Sequence, residues 1–397
     1  MKIVLPVCVI ALIATAGLAS SPAAQNASGA AQQDSLPVQF AFGGNAAEIP
    51  AEFVDNLVLL PVRVGNGQPS LFLLDSTAAR SSIAPSRAAE LGFAPGSSAT
   101  LVLHGMQISF SALPAVANDN FAAQTGRWYQ GTLGRDFLAS VIVEIDYGRQ
   151  TVRLYDPASY KYSGGGTSFP LKFAAGLPLI PAKINLPHQK AREGEFIVDT
   201  SLAASVVIAE QFAESRHLFA AHLKTIKASD PRIHNGENIV IGRPKEIQIG
   251  PHTIEGAVAA FSPSPAGPSG SEIAGAIGGG ILKRFSVVFD FAHQQLILTP
   301  NLRMHELEEE DKSGLSIVAK GPGWKQFEID AILPGTPAAN AGIKTGDVIA
   351  GIDEDPSADL TLIQVRELFR QPDHKYKLTI ERGGQTLRVS FQTRRLL

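Results

Sequence analysis

Two aspartates in this chain end closely matched runs. Leu71-Phe72-Leu73-Leu74-Asp75-Ser76-Thr77 and Phe196-Ile197-Val198-Asp199-Thr200-Ser201 each consist of an apolar stretch, an Asp, a hydroxyl residue and a third small polar residue. Asp199 follows Asp75 by 124 residues, about one domain's length. Taken singly, an Asp that closes an apolar run is an ordinary turn residue. A duplicated strand delivering one carboxylate per copy has a different consequence, because the two groups can meet at a pseudo-twofold axis. There they share one proton and together activate water.

The elements around the two aspartates repeat as well. Residues 56–64 and 70–74 read as strands split by Gly65-Asn66-Gly67-Gln68-Pro69, a hairpin signal. Residues 85–91 read as a short helix that starts on Pro85 and stops at Gly92. In the second half, residues 177–186 and 195–199 read as strands, and 209–219 as the matching helix. Further on, Gly131-Thr132-Leu133-Gly134-Arg135-Asp136-Phe137-Leu138 pairs with Gly275-Ala276-Ile277-Gly278-Gly279-Gly280-Ile281-Leu282, and each is followed by two strands. The offset here is 144 residues, so the second copy holds about 20 more, expected in 224–235 and 262–271. Residues 160–169, with Gly164-Gly165-Gly166, form the joint between copies.

This arrangement resembles the pepsin/retropepsin superfamily of aspartic proteases over about residues 53–300. Its hallmark is a hydrophobic pair, Asp, Thr or Ser, and Gly in each lobe, with a hydrophobic-hydrophobic-Gly segment later. The resemblance makes Asp75 and Asp199 the catalytic pair. Ser76 and Thr200 become the hydroxyls that brace the two loops. Leu133-Gly134 and Ile277-Gly278 become the segments packed behind each Asp. It implies carboxylates about 3 Å apart, one ionised as general base and one protonated to polarise the scissile carbonyl. The third position departs from the pattern, with Thr77 and Ser201 where the family has Gly. Two functions therefore stay open: an active endopeptidase, or a catalytically inactive peptide-binding descendant. Residues 100–113, turning at His104-Gly105, match the family's flap hairpin and lack the Tyr that pepsin-like members carry there.

A third unit follows the acidic stretch Glu306, Glu308, Glu309, Glu310 and Asp311, which reads as a solvated linker or short helix. Ser313-Gly314-Leu315-Ser316-Ile317 and the segment from Leu333-Pro334-Gly335 to Asp347-Val348-Ile349 resemble a bacterial PDZ domain. The resemblance makes Gly314, Leu315 and Ser316 a carboxylate loop, with Leu315 and Ile317 on an edge strand that pairs with peptide. Ile363, Val365, Leu368 and Phe369 would line the groove or its core.

The chain has 397 residues, 45% hydrophobic and 18% charged, enough for several cores. A net charge of −3 without a basic run gives no case for nucleic acid. Lys2 and the apolar run 3–16 read as a secretory signal peptide, with an uncleaved anchor as the other reading. The one cysteine, Cys8, falls inside it, so the mature protein would be free of disulfides, as suits a bacterial envelope protein. No histidine pair has H-E-x-x-H spacing, and no G-x-S-x-G or P-loop is present. The expected fold is mainly β, a two-lobed aspartic-protease-like fold with a pseudo-twofold repeat followed by an α+β PDZ domain. Expected boundaries are a signal peptide at 1–24, a flexible tether at 25–46, lobes at 47–158 and 159–304, a linker at 305–312 and the PDZ domain at 313–397. Expected besides are an exported, periplasmic or secreted monomer, no cofactor or metal, and peptide or unfolded polypeptide as partner.

Overall fold

The computed structural model describes residues 35–218, 223–228, 239–262 and 272–397. The expected signal peptide, the tether up to residue 34, and the insertions 229–235 and 263–271 lie outside them. The chain is mainly β, 44% strand against 14% helix. Among the described residues no helix is long and apolar enough to cross a membrane.

Both halves build the same motif. In the first, Leu57–Val64 and Ser70–Leu74 form an antiparallel hairpin, and Ser70–Leu74 then runs parallel to Gly131–Leu133. Ser82–Ile83 pairs with the other edge of Gly131–Leu133, antiparallel. In the second, Leu177–Asn185 and Arg192–Val198 form the hairpin, and Arg192–Val198 runs parallel to Ile273–Ile277. Val206–Ala209 takes the far edge, antiparallel. The ends that lead into the aspartates, Phe72-Leu73-Leu74 and Phe196-Ile197-Val198, are buried on both faces, which is why they read as unbroken apolar runs. A short helix follows in each, Pro85–Glu90 and Glu210–Ser215. The first begins on a proline preset for helical φ and stops at Gly92, whose φ of +61° suits the left-handed turn. The repeat also reaches further upstream than the motif pairs suggest. Leu59-Leu60-Pro61-Val62-Arg63-Val64 and Leu179-Ile180-Pro181-Ala182-Lys183-Ile184 occupy equivalent strands.

A six-stranded sheet joins the halves: Thr167–Pro170, Gln295–Pro300 and Phe285–Asp290 from one, Ile142–Asp146, Thr151–Tyr155 and Ala46–Pro50 from the other. Its central pairing sets Glu144 opposite Val288. Those residues are 144 apart, the repeat's own offset, so a residue faces its counterpart and the pseudo-twofold axis passes through the pair. The hairpin Ala99–Leu103 with Met106–Phe110 turns at His104-Gly105 as expected for the flap. The expected tether is corrected in part. Val38–Phe40 pairs with the flap strand and Ala46 opens a strand of the six-stranded sheet, so from Val38 the segment is built into the protein.

The C-terminal unit has its own core, including Phe327, Ile329, Val365, Phe369, Tyr376 and Ile380. Its sheet runs Leu315–Lys320, Gln326–Ile332, Val348–Ile352, Lys375–Arg382, Gln385–Gln392 in spatial order, leaving Leu315–Lys320 at an edge. Its helix Leu362–Phe369 starts with a capping box between Thr361 and Gln364.

Candidate active site

Each aspartate emerges where its strand leaves the parallel pair. The amides of Asp75 and Asp199 donate to Leu133 O and Ile277 O, both at 2.9 Å. The next residues cross-brace the loops. The Ser76 amide donates to Thr200 Oγ1 at 2.9 Å, and the Thr200 amide donates to Ser76 Oγ at 3.1 Å. Each hydroxyl in turn donates across the axis, Ser76 Oγ to Val198 O and Thr200 Oγ1 to Leu74 O, both at 2.7 Å. Ser76 and Thr200 are buried, so these groups have no water to exchange for and hold the loops in register. The axis thus runs from this brace to the Glu144–Val288 pair.

Gly134 and Gly278 lie directly behind the loops. A Cβ on Gly134 would stand 2.6 Å from the Arg80 carbonyl carbon and 2.8 Å from Ala78 O. One on Gly278 would stand 2.4 Å from Ala204 O and 2.5 Å from Leu202 O. Backbone cannot yield as a side chain can, so both positions require glycine.

The third position has a local explanation. Neither Thr77 nor Ser201 has a positive φ, so no left-handed backbone asks for glycine there. Each instead supplies an extra donor. Asp75 Oδ1 accepts from the Thr77 amide at 2.8 Å, the Thr77 hydroxyl at 2.7 Å and the Ala78 amide at 3.0 Å. Asp199 Oδ1 accepts from the Ser201 amide at 2.8 Å and its hydroxyl at 2.7 Å. No hydrogen bond to the Oδ2 of either is found among the described residues. Burial and then the charge of Asp75 push the Asp199 carboxyl up to about 6, against the opposing pull of the Ser201 hydroxyl and the Ser201 and Leu202 amides.

Several neighbours carry no signal that the sequence reading used. The buried Tyr129 has its hydroxyl pushed up to about 12 by burial and then by Asp75. Arg135 is buried, which lowers its pKa, while Asp75 and Asp136 pull it back. Behind the first loop, Ser81 Oγ donates to Asp136 Oδ1 at 2.7 Å and accepts from the Gly134 amide at 3.0 Å. In the second lobe the position equivalent to Asp136 is Gly280, where a Cβ would meet Ser205 Oγ at 2.3 Å. Ser205 Oγ donates instead to Glu308 Oε2 at 2.5 Å, and the Val258 amide donates to the same oxygen at 2.8 Å. Glu310 pairs with Arg243 at 2.6 Å. The acidic stretch is therefore no solvated linker at these two residues. Glu308 supplies from the linker the carboxylate that the second copy lacks.

In the C-terminal unit, Gly314 has a φ of +85° and packs against the Thr336 side chain. Leu315 and Ile317 point into the core and Ser316 is half-buried. The amides of Ser313 and Gly314 donate to Asp311 Oδ1, at 3.0 and 2.5 Å. Burial pushes this carboxyl up to about 6 despite those bonds. Val365 and Phe369 are core residues, whereas Ile363 and Leu368 are half-buried.

The model of the PDZ domain family matches residues 303–381, so the C-terminal unit is a PDZ domain. Among solved structures, the photosystem II D1 C-terminal processing protease matches at 27% identity and a TM-score of 0.20. That match covers 22% of this chain and 23% of that one, so it spans less than a quarter of that protease. An aspartic proteinase from Irpex lacteus matches at 16% identity and a TM-score of 0.36, covering 65% of this chain and 98% of its own. No curated protein matches the chain.

Proposed function

We propose that this chain is an aspartic-type endopeptidase whose PDZ domain receives polypeptide. The observation that carries the reading is the reciprocal brace between Ser76 and Thr200, which fixes the Asp75 and Asp199 loops to one another across the axis. In this reading the Oδ1 atoms are held by the loops and the Oδ2 atoms serve water and the shared proton. The ionised member takes a proton from water, and the protonated member polarises the scissile carbonyl and then protonates the departing amine. Thr77 and Ser201 do not crowd the site out of use; their hydroxyls take over donation to the carboxylates. Export with removal of residues 1–24, and a periplasmic or secreted location, belong to the same proposal. So do the lobe boundaries 47–158 and 159–304.

The test is cleavage of an unfolded protein between pH 3 and 8 by the mature chain, Asp75→Asn and Asp199→Asn. Loss of either carboxylate should lower the rate by at least roughly 100-fold. Equal cleavage by all three, or cleavage by none while polypeptide still binds, would replace the endopeptidase with a non-catalytic peptide-binding module.

A further inference from the structure

The first lobe packs against both Leu315–Lys320 and Leu362–Phe369 of the PDZ domain. The helix Asp119–Thr125 packs along the edge strand Leu315–Lys320. It ends on Gly126 in the left-handed region, φ +67°, which lets the chain turn between strand and helix. A Cβ on Gly126 would stand 2.9 Å from Leu362 Cβ and 3.8 Å from Ala319 Cβ. Trp128 then stacks on Trp324, with centroids 5.9 Å apart and planes 9° from parallel.

The groove's own polar group is taken too. Arg366, on the helix, donates to Ile317 O at 2.8 Å and to Asp55 of the first lobe at 3.2 Å. A carbonyl that an incoming strand's amide would need therefore has a donor already. One turn earlier on the helix, Ile363 packs into a first-lobe cluster with Leu57, Leu73, Phe121 and Tyr129. Tyr129 meets Phe121 edge-on at 4.5 Å and is the same residue whose hydroxyl feels the charge of Asp75.

We propose that residues 119–128 hold the PDZ groove closed in cis and that polypeptide enters only by displacing them. The inference rests on the reading of the PDZ domain as the polypeptide receiver.

Trp128 and Trp324 are the chain's two tryptophans, so intrinsic fluorescence and the exciton signal of their stack report the contact directly. The experiment uses the full chain carrying Asp75→Asn, so a failed endopeptidase reading would leave its results untouched. The probe is a pool of Trp-free decapeptides ending in free Val, Leu, Ile or Ala. Binding should abolish the stack signal. Arg366→Glu should weaken the stack in the absence of peptide and bind the pool at least 10-fold more tightly. Exchanging the charges, Asp55→Arg with Arg366→Asp, should return both properties toward the parent. Gly126→Leu opens the contact by bulk alone and should behave as Arg366→Glu does. Peptide binding with an unchanged stack, a stack retained in both opening variants, or no gain in binding once it is broken would each overturn the proposal.

Discussion

At the scale of single residues, the Ser201 hydroxyl draws the buried Asp199 carboxyl back toward its ordinary range. A donor to a carboxylate favours its ionised form, and such a bond contributes about 1.5–3 kcal/mol. Ser201→Gly removes the 2.7 Å hydroxyl donor and should push the Asp199 carboxyl further above about 6. The basic limb of the pH–rate profile should then move up by about one unit; an unmoved limb would deny the hydroxyl this role. Asp311 makes a second prediction. Its folded pKa of about 6 lies above the ordinary value of 3.8, so folding favours the protonated form. The stabilisation is full below about pH 4 and is lost as pH rises through 6. Asp311→Asn keeps an acceptor for the two amides and lacks the charge. In urea titrations it should therefore gain up to about 3 kcal/mol on the parent at pH 7.5 and nothing at pH 3.5. Both aspartates of the pair were legible in the sequence because each closes an apolar run. Tyr129 and Asp311 were not, because their roles come from neighbours brought up by the fold.

At the scale of elements, the two parallel strand pairs act as seats for the Asp loops, and glycine is what lets the seat close. Gly278→Ala sets a Cβ 2.4 Å from backbone oxygen and should cost roughly 3 kcal/mol or more of stability, with activity falling alongside. Gly165→Ala meets nothing within 4 Å and should stay within about 0.5 kcal/mol in the same denaturation assay. Hairpins and helix stops were readable because their signals are local: Gly65 to Pro69 for one turn, Pro85 and Gly92 for one helix. The helix Asp119–Thr125 was not. Its seven residues carry no apolar period, and its place is set by packing on a strand almost two hundred positions away. The upstream repeat around Pro61 and Pro181 is equally local and lies just outside the motif pairs.

At the scale of the whole molecule, the three units share parts. Glu308 reaches from the linker to Ser205 and Val258, so Glu308→Ala should strand both donors and cost about 1–3 kcal/mol in thermal or urea unfolding. Glu306, in a surface pair with Lys283 at 3.6 Å, should cost under about 1 kcal/mol when replaced by Ala. The acidic stretch read as solvent-facing because composition shows charge and not the glycine at 280 that one of those charges compensates. The turn Asp55-Asn56 belongs to this scale too. Asp55 pairs with Arg366 of the PDZ domain, and Asn56 Nδ2 donates to Ala203 O of the second lobe at 2.9 Å. The six-stranded sheet has a consequence in time. The strand Ile142–Asp146 meets Phe285–Asp290 only after about 140 further residues exist. At roughly 5–20 residues per second that is on the order of ten seconds with an apolar edge unpaired. Half a chain thus carries a bare pairing edge that only its own other half covers.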